Sequence, residues 1–290
     1  MKKAVFLAFL LCFLFTSNLW GESISQQALK KFQDRVEKDL QGKVPPSFIE
    51  KIFSSTELDF YPQIMVKSLT WKEAELPYYQ FLTPERLKKA KEFLKSHYHL
   101  LSQIEKTFGV DKEVLVGIFM VETNFGENTG NWPVLDVLYS MAISGEKEIF
   151  EPYAQKANIP LNDTSIKTKW QKRSRWAYRE LLYFIQICYQ NHWDPFSIKG
   201  SLFGAFGYPQ FVPRSYLVYG YDWDKDGVVD LYNVEDALSS IANYLKKEGY
   251  KISATEEEKK RVIMRYNHSE PYANTVLAIA KKLRRLQVKD

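Results

Sequence analysis

Glu122 stands one position beyond the apolar run Val114–Val121. A helix over this run is apolar nearly all round, the pattern of a buried helix. Ile118 lies one turn below Glu122, and Val114 and Leu115 two turns below, so the carboxylate projects from the apolar face. Taking a carboxylate out of water is costly unless it keeps its proton. The residues that follow, TNFGENTG, end the helix and open that face. A carboxyl placed there is expected to have a raised pKa, suited to a general acid working near neutrality. A structural Glu paired with an arginine fits the same pattern, and periodicity does not separate the two.

Three further stretches could do chemistry. In KGSLFGAFGYPQFVPRSY, residues 199–216, Gly200, Gly204 and Gly207 strip side chains from a loop, so backbone or ligand can approach closely. Ser201, Tyr208, Gln210 and Phe211 add hydroxyl, amide and ring, the mixture a sugar site uses; a tight inter-helix loop would share the glycine spacing. In DWDKDGVVDLYNVED, residues 222–236, Asp222, Asp224 and Asp226 take positions 1, 3 and 5 of an EF-hand-like calcium loop. Gly227 takes position 6, the Val228 carbonyl position 7 and Asp230 position 9. Asn233 replaces the bidentate Glu of position 12, and Asp236, in the first turn of the next helix, can close the shell. Oxygen donors without histidine suit a structural Ca2+ rather than a hydrolytic zinc, with a solvated acidic loop as the alternative. RYNHSEPY, residues 265–272, puts Asn267 and Tyr272 between two helices and by itself indicates a turn. His192 and His268 are isolated and suit surface or hydrogen-bonded positions. No Ser-His-Asp order, Cys-His pair, HExxH, phosphate loop or dinucleotide fingerprint occurs, so the chemistry rests on a carboxylate.

The elements that must position these groups are mainly α-helical. Apolar spacing over 25–52 reads as two helices flanking KVPPS. Thr83 reads as an N-cap with Pro84 at N1, opening one long helix that runs through Leu87, Leu94 and Ile104 to Gly109. Asp111 is expected to cap the Glu122 helix, and Gly126 or Gly130 to close it. Asp136–Ala142, Trp176–Gln190, 233–249, 255–266 and 271–287 read as further helices. The polar segment 143–172 reads as an insertion, partly loop. Strand alternation is almost absent.

The chain has 290 residues, 45% apolar and 26% charged, enough for a sizeable core. The start, MKKAVFLAFLLCFLFTSNLWGES, has the basic, apolar and small-polar order of a secretory signal peptide over 1–21. Export follows, with the protein either soluble or held by an uncleaved signal anchor. Cys12 lacks the small-residue context of a lipoprotein site. Removing the leader takes away Lys2 and Lys3, so the net charge falls from +5 to +3, too weak to argue for nucleic acid. Only Cys188 then remains, which excludes an internal disulfide. The remainder divides into a helical N-terminal region, 22–81, and a domain over 82–290.

Five stretches, FLTPERL, FGVDKEVLVGIFMVETNFG, KGSLFGAFGYPQFVPRSY, YDWDKDGVVDLYNVEDALSSIANYLKKEGY and RYNHSEPYANTVLAIA, follow in the order seen in the lytic murein transglycosylase B family, membrane-bound and soluble forms alike. The resemblance runs from about Tyr79 to Ala280. It implies a lysozyme-like helical fold over 82–290. The implied activity is non-hydrolytic cleavage of the β-1,4 bond between N-acetylmuramic acid and N-acetylglucosamine in peptidoglycan, leaving a 1,6-anhydro ring. Glu122 falls on the family's sole acid/base. Ser201, Gln210, Tyr244, Asn267 and Tyr272 fall on residues lining its sugar subsites, with Phe211 beside them; Tyr266 matches the family's Tyr-Asn pair. Arg173 aligns with an arginine near the peptide stem. Asp222, Asp224, Asp226, the Val228 carbonyl and Asp236 fall on the family's calcium loop, which is longer than a standard EF-hand and accounts for the missing Glu at position 12. One carboxylate suffices if the substrate's own C6 hydroxyl is the nucleophile.

The 143–172 insertion departs from the family, which is usually short there, and no separate peptidoglycan-binding module is expected after the last helix. The implied partners are glycan strands, with cell-wall synthesis enzymes as candidates, no nucleic acid, and a monomeric state. Two other readings compete: a catalytically silent, calcium-stabilised peptidoglycan-binding scaffold, and a lysozyme-type hydrolase using Asp136, Glu127 or Glu146 as second carboxylate.

Overall fold

Proline and short polar side chains punctuate the chain into helices. The computed structural model describes residues 26–71 and 78–287; the apolar leader 1–21 lies outside them. Helix α1 (Gln26–Asp39) and α2 (Pro46–Phe53) flank the KVPPS break, and α3 (Pro62–Thr70) follows. A 3-10 turn, Tyr78–Leu82, leads into α4 (Pro84–Ser96), whose start is capped by the Thr83 hydroxyl accepting from the Arg86 N–H. The single helix expected from Thr83 to Gly109 is broken. Residue 97 leaves the helical region (φ −110°, ψ 20°), and α5 (Tyr98–Phe108) begins beyond it. The cause is local: the Ser96 hydroxyl and the His97 ring both turn back onto the Phe93 carbonyl, competing with the helix for its acceptor. Gly109, with φ 69°, ends α5 as expected.

Helix α6 (Lys112–Thr123) carries Glu122. Asp111 occupies its N-cap position but makes no capping bond. Its carboxylate instead takes the Tyr250 hydroxyl at 2.6 Å, the Lys259 ammonium at 2.7 Å and the Arg284 guanidinium at 2.9 Å. The Lys112 N–H is served by Glu105 at 3.0 Å. The far end is closed by Asn124 in the left-handed region, not by Gly126 or Gly130. Asn tolerates that conformation through its short polar side chain.

A two-residue strand, β1 (Trp132–Pro133), pairs antiparallel with β2 (Lys199–Gly200). Between them lie α7 (Val134–Ile143), α8 (Lys147–Lys156) and α9 (Thr164–Gln190). The 143–172 segment is thus mostly helical. Helix α9 starts twelve residues earlier than the apolar pattern suggests, because Asp163 caps it through the Ile166 N–H. Trp170 anchors the segment: it is buried and donates to the Ser144 carbonyl at 2.6 Å. Helices α10 (Pro213–Tyr219), α11 (Val234–Lys247), α12 (Glu256–Tyr266) and α13 (Glu270–Gln287) complete the chain.

These helices build two cores. The first joins α1–α3 to α7–α9 through residues such as Phe32, Ile52, Ile64, Leu138 and Phe184. The second wraps α4, α5, α11, α12 and α13 around the apolar run of α6. Tyr244 and Tyr266 pack against both. Helix α6 meets α13 at Gly117, where an added Cβ would lie 3.1 Å from the Val276 carbonyl oxygen. A mid-helix glycine, itself unfavourable, is tolerated because it lets α13 come this close. Gly117→Val should therefore destabilise the fold by about 1–3 kcal/mol. Urea unfolding would check this, and an unchanged midpoint would mean that α13 can shift freely.

Candidate active site

The turn after Glu122 is stitched to the Gly-rich loop rather than left open. Asn124 and Phe125 both have positive φ, 52° and 63°. The Thr123 hydroxyl donates to the Tyr208 carbonyl at 3.2 Å and accepts the Gly126 N–H at 3.1 Å. Gly126 lies so close to the Tyr208 ring that a Cβ would meet it at 2.7 Å, and a Cβ on Gly130 would lie 2.0 Å from the Gly200 carbonyl oxygen. The helix end and the 200–208 loop form one backbone unit.

Glu122 itself is half-buried at the end of α6. Among the described residues a tyrosine binds it: the buried Tyr272 hydroxyl donates to Oε1 at 2.6 Å. From Tyr272 a series of rings leads away toward the other core. Tyr266 is nearly parallel to it at 6.5 Å, and Tyr244 lies 4.8 Å from Tyr266. Phe211 sits 5.9 Å from Tyr266 and 6.0 Å from Tyr244. Main-chain acceptors aim the hydroxyls: Tyr266 donates to Pro209 at 2.5 Å and Tyr244 to Arg265 at 2.6 Å. Burial first, then the Glu122 charge, push the Tyr266 and Tyr272 phenols well above their ordinary pKa. Tyr272 therefore stays a donor to the carboxylate across the working pH range.

The other expected residues fall into three groups. Gln210 adopts φ 50°, and its amide donates to the Thr129 and Gly207 carbonyls at 3.1 and 2.9 Å, tying the 207–210 turn to the turn after Glu122. Ser201 accepts the Phe203 and Ala205 N–H groups, so its oxygen shapes the loop. Asn267 ends α12 one residue from Tyr266. Arg173 lies on α9, one turn from Lys169, whose ammonium donates to the Leu69 carbonyl at the end of α3. Periodicity did not single out Thr123, or Tyr78, whose ring meets Tyr272 edge-on at 6.1 Å. Neither lies in a pattern that distinguishes it from a core residue.

The acidic loop is folded around its own carboxylates. Asp222 accepts the Lys225 and Gly227 N–H groups, Asp224 that of Asp226, and Asp226 that of Val228. Carboxylate oxygens of Asp222, Asp224 and Asp226 lie within 4.8 Å of one another. Asp236 is buried and accepts the Trp223 and Asp230 N–H groups, both at 2.8 Å. Burial raises its pKa, with Asp224 and Asp222 adding to the effect. Three converging carboxylates beside a fourth that is desolvated suit a hard divalent cation. Asn233 is absent from that group for a visible reason: its side chain caps α11 through the Glu235 N–H at 2.7 Å.

With this geometry in place, the comparison with known proteins is decisive. The sequence profile of the family described as a transglycosylase SLT domain matches residues 25–259. The chain belongs to that family. Membrane-bound lytic murein transglycosylase B of Escherichia coli (strain K12) is 30% identical over 171 residues of this SLT domain protein, 59% of its chain and 40% of the relative's. The chain thus spans well under half the length of that relative. Several solved structures share the fold, among them the two that follow. Lytic transglycosylase Slt35 of Escherichia coli has a TM-score of 0.71 at 20% identity, covering 90% of this chain and 94% of its own. Soluble lytic transglycosylase SltB1 from Pseudomonas aeruginosa has a TM-score of 0.71 at 22% identity, covering 90% and 99%.

The three other carboxylates of the SLT domain that could pair with Glu122 each have partners of their own, Glu127 also accepting from the Asn124 amide. Glu127 pairs with Lys89 at 2.5 Å and Glu146 with Arg35 at 3.2 Å. Asp136 is buried at the start of α7 and accepts the Asp59 N–H at 3.4 Å. Burial, partly offset by that bond, pushes its carboxyl up to about 7, and Asp59 and Glu57 add to the rise. The folded state therefore holds this proton more tightly than the unfolded chain, and that advantage is lost as pH rises from about 4 through about 7. Asp136→Asn keeps an acceptor for Asp59 and cannot ionise. Its thermal stability should exceed wild type by a margin that grows across that range, reaching at most about 4 kcal/mol. Parallel melting curves from about pH 4 to about pH 8 would reveal an ionised, hydrated Asp136 as two curves that never diverge.

Proposed function

We propose that this protein is a lytic transglycosylase of peptidoglycan, cleaving the β-1,4 bond between N-acetylmuramic acid and N-acetylglucosamine with Glu122 as single acid/base. The observation that carries the reading is Glu122 at the end of an apolar helix, held by Tyr272 at 2.6 Å, while Glu127, Glu146 and Asp136 are committed to other partners. A hydrolase would need a second carboxylate facing the first. SltB3 from Pseudomonas aeruginosa, another structural relative, has been solved with NAG-anhNAM-pentapeptide, a saccharide of the anhydro type.

Protonated Glu122 gives its proton to the departing glycosidic oxygen. The substrate's N-acetyl group supports the positive charge at C1 in place of a second carboxylate. Glu122, now ionised and steadied by the Tyr272 hydroxyl, takes the proton of the C6 hydroxyl as that oxygen attacks C1. The nucleophile is tethered, and tethering of this kind is worth up to roughly 7–11 kcal/mol of barrier. The half-buried rings of Tyr266 and Tyr244 offer faces and edges for the pyranoses, with the buried Phe211 supporting them from behind. Glu122→Gln should lower the yield of anhydro-muropeptides from purified sacculi by about 10²–10⁴-fold or more. Mass spectrometry of the soluble products checks this; reducing-end products from wild type would instead identify a hydrolase.

Calcium belongs to the same reading. Slt35 has also been solved in complex with calcium, and here Asp222, Asp224, Asp226 and the Val228 carbonyl would hold the ion with Asp236. Its role would be structural, neutralising converging carboxylates at the N-terminus of α11. Calcium at about a hundred times its Kd should stabilise the chelator-treated protein by about 2.7 kcal/mol. Asp226→Asn should abolish that increment in a thermal melt; an equal gain in the variant would move the ion elsewhere. The basic and apolar leader over 1–21 supports export to the periplasm.

A further inference from the structure

The helix α9 ends in a pocket that the Glu122 site does not use. It lies between α9 and α2 and has a volume of about 380 Å³, within the size range of small-ligand pockets. Its walls are the rings of Phe48, Tyr189, Trp193 and Phe196. All four are half-buried and pack against the first core, whereas Glu122 and Tyr272 belong to the second. Phe184 and Phe206, which serve only the core, are fully buried. Phe48 and Tyr189 meet edge to face at 5.5 Å and Trp193 meets Tyr216 likewise at 5.6 Å, yet all four pocket rings stay half-buried around one cavity.

The rim supplies the polar half of a recognition site. Lys51, His192 and Asp194 line the pocket and are exposed. Asp194 accepts the Phe196 N–H at 3.2 Å, which holds its carboxylate at the rim. His192 is held by the helix end: it has φ 56°, and the Trp193 N–H returns to the Cys188 carbonyl at 2.9 Å. Glycine normally takes such a position. A histidine there is held in a strained backbone conformation beside the pocket.

We infer that this pocket binds one N-acetylhexosamine unit of a glycan strand, at a site separate from the cleavage site. Aromatic faces match the C–H face of a pyranose, and the ammonium, imidazole and carboxylate match its hydroxyls and acetamido group. The choice of glycan rests on the peptidoglycan reading. A second foothold on a polymer raises the local concentration of bonds at the first site and strengthens binding without altering the chemistry.

The test uses the full-length protein carrying Glu122→Gln, titrated with tetra-N-acetylchitotetraose. The tryptophan indole N–H resonances are followed, with that of Trp193 assigned from a Trp193→Phe sample. Trp193 should shift and saturate. Lys51→Ala and His192→Gly, the second of which relieves the backbone strain, should each weaken that saturation by about 3–10-fold. In the wild-type background the same two variants should reduce sedimentation with sacculi while leaving cleavage of short soluble fragments unchanged. Shifts confined to other indoles, or no shift at all, would overturn the inference even if anhydro products form. A saturating Trp193 with no anhydro products would keep the pocket and sink the catalytic reading instead.

Discussion

A phenol that keeps its proton beside a carboxylate at the end of an apolar helix is the interaction on which the rest depends. Such a carboxylate needs a donor, and the donor must be an acid too weak to surrender its own proton. Tyr272 meets both conditions because it is buried among Tyr78, Tyr266 and the α6 run. It can reach Glu122 only because α13 lies against α6 at Gly117. The far end of the same helix pair is clamped by Asp111, Lys259, Arg284 and Tyr250. Such a buried ionic cluster contributes little net stability over apolar packing, yet losing one member would strand the others. What it supplies is register between α6 and its neighbours.

The two cores divide the work. One surrounds α6 and presents the carboxylate; the other carries the Gly-rich loop through Phe206 and Phe211. Tyr244 and Tyr266 span the seam, so a sugar resting on them would touch both halves. The main-chain bonds of their hydroxyls leave the rings in fixed orientations while spending the polar atoms on backbone carbonyls. In the proposed glycan complex the ring faces rather than the hydroxyls would be the contact surface.

Much of this was legible in the sequence because it depends on local spacing. The helices from Val234 to Gln287, the Thr83 cap and the acidic loop were all read from residue order. Glu122 was visible as the one charge at the end of the apolar run, but its partner was not: Tyr272 lies 150 positions away. The break at His97 was hidden because the apolar period continues across it, while side chains compete for the Phe93 carbonyl. Asp111 looked like a cap by type and position, and long-range cations claimed it instead. The early start of α9 escaped because its first turns are polar and rest on Trp170.

The contact between Gly130 and Gly200 limits how this protein can be re-engineered. Two strands of main chain meet there with no room for even a methyl group, since a Cβ on either glycine would fall about 2 Å from a carbonyl oxygen. That contact has no side chain to exchange. If the proposed glycan lies along this loop, a designer wishing to change its fit would have to work from the margins, through half-buried rings such as Trp132 and Phe203. The floor would stay as the main chain draws it, a mould that can be relined at its edges and not recast.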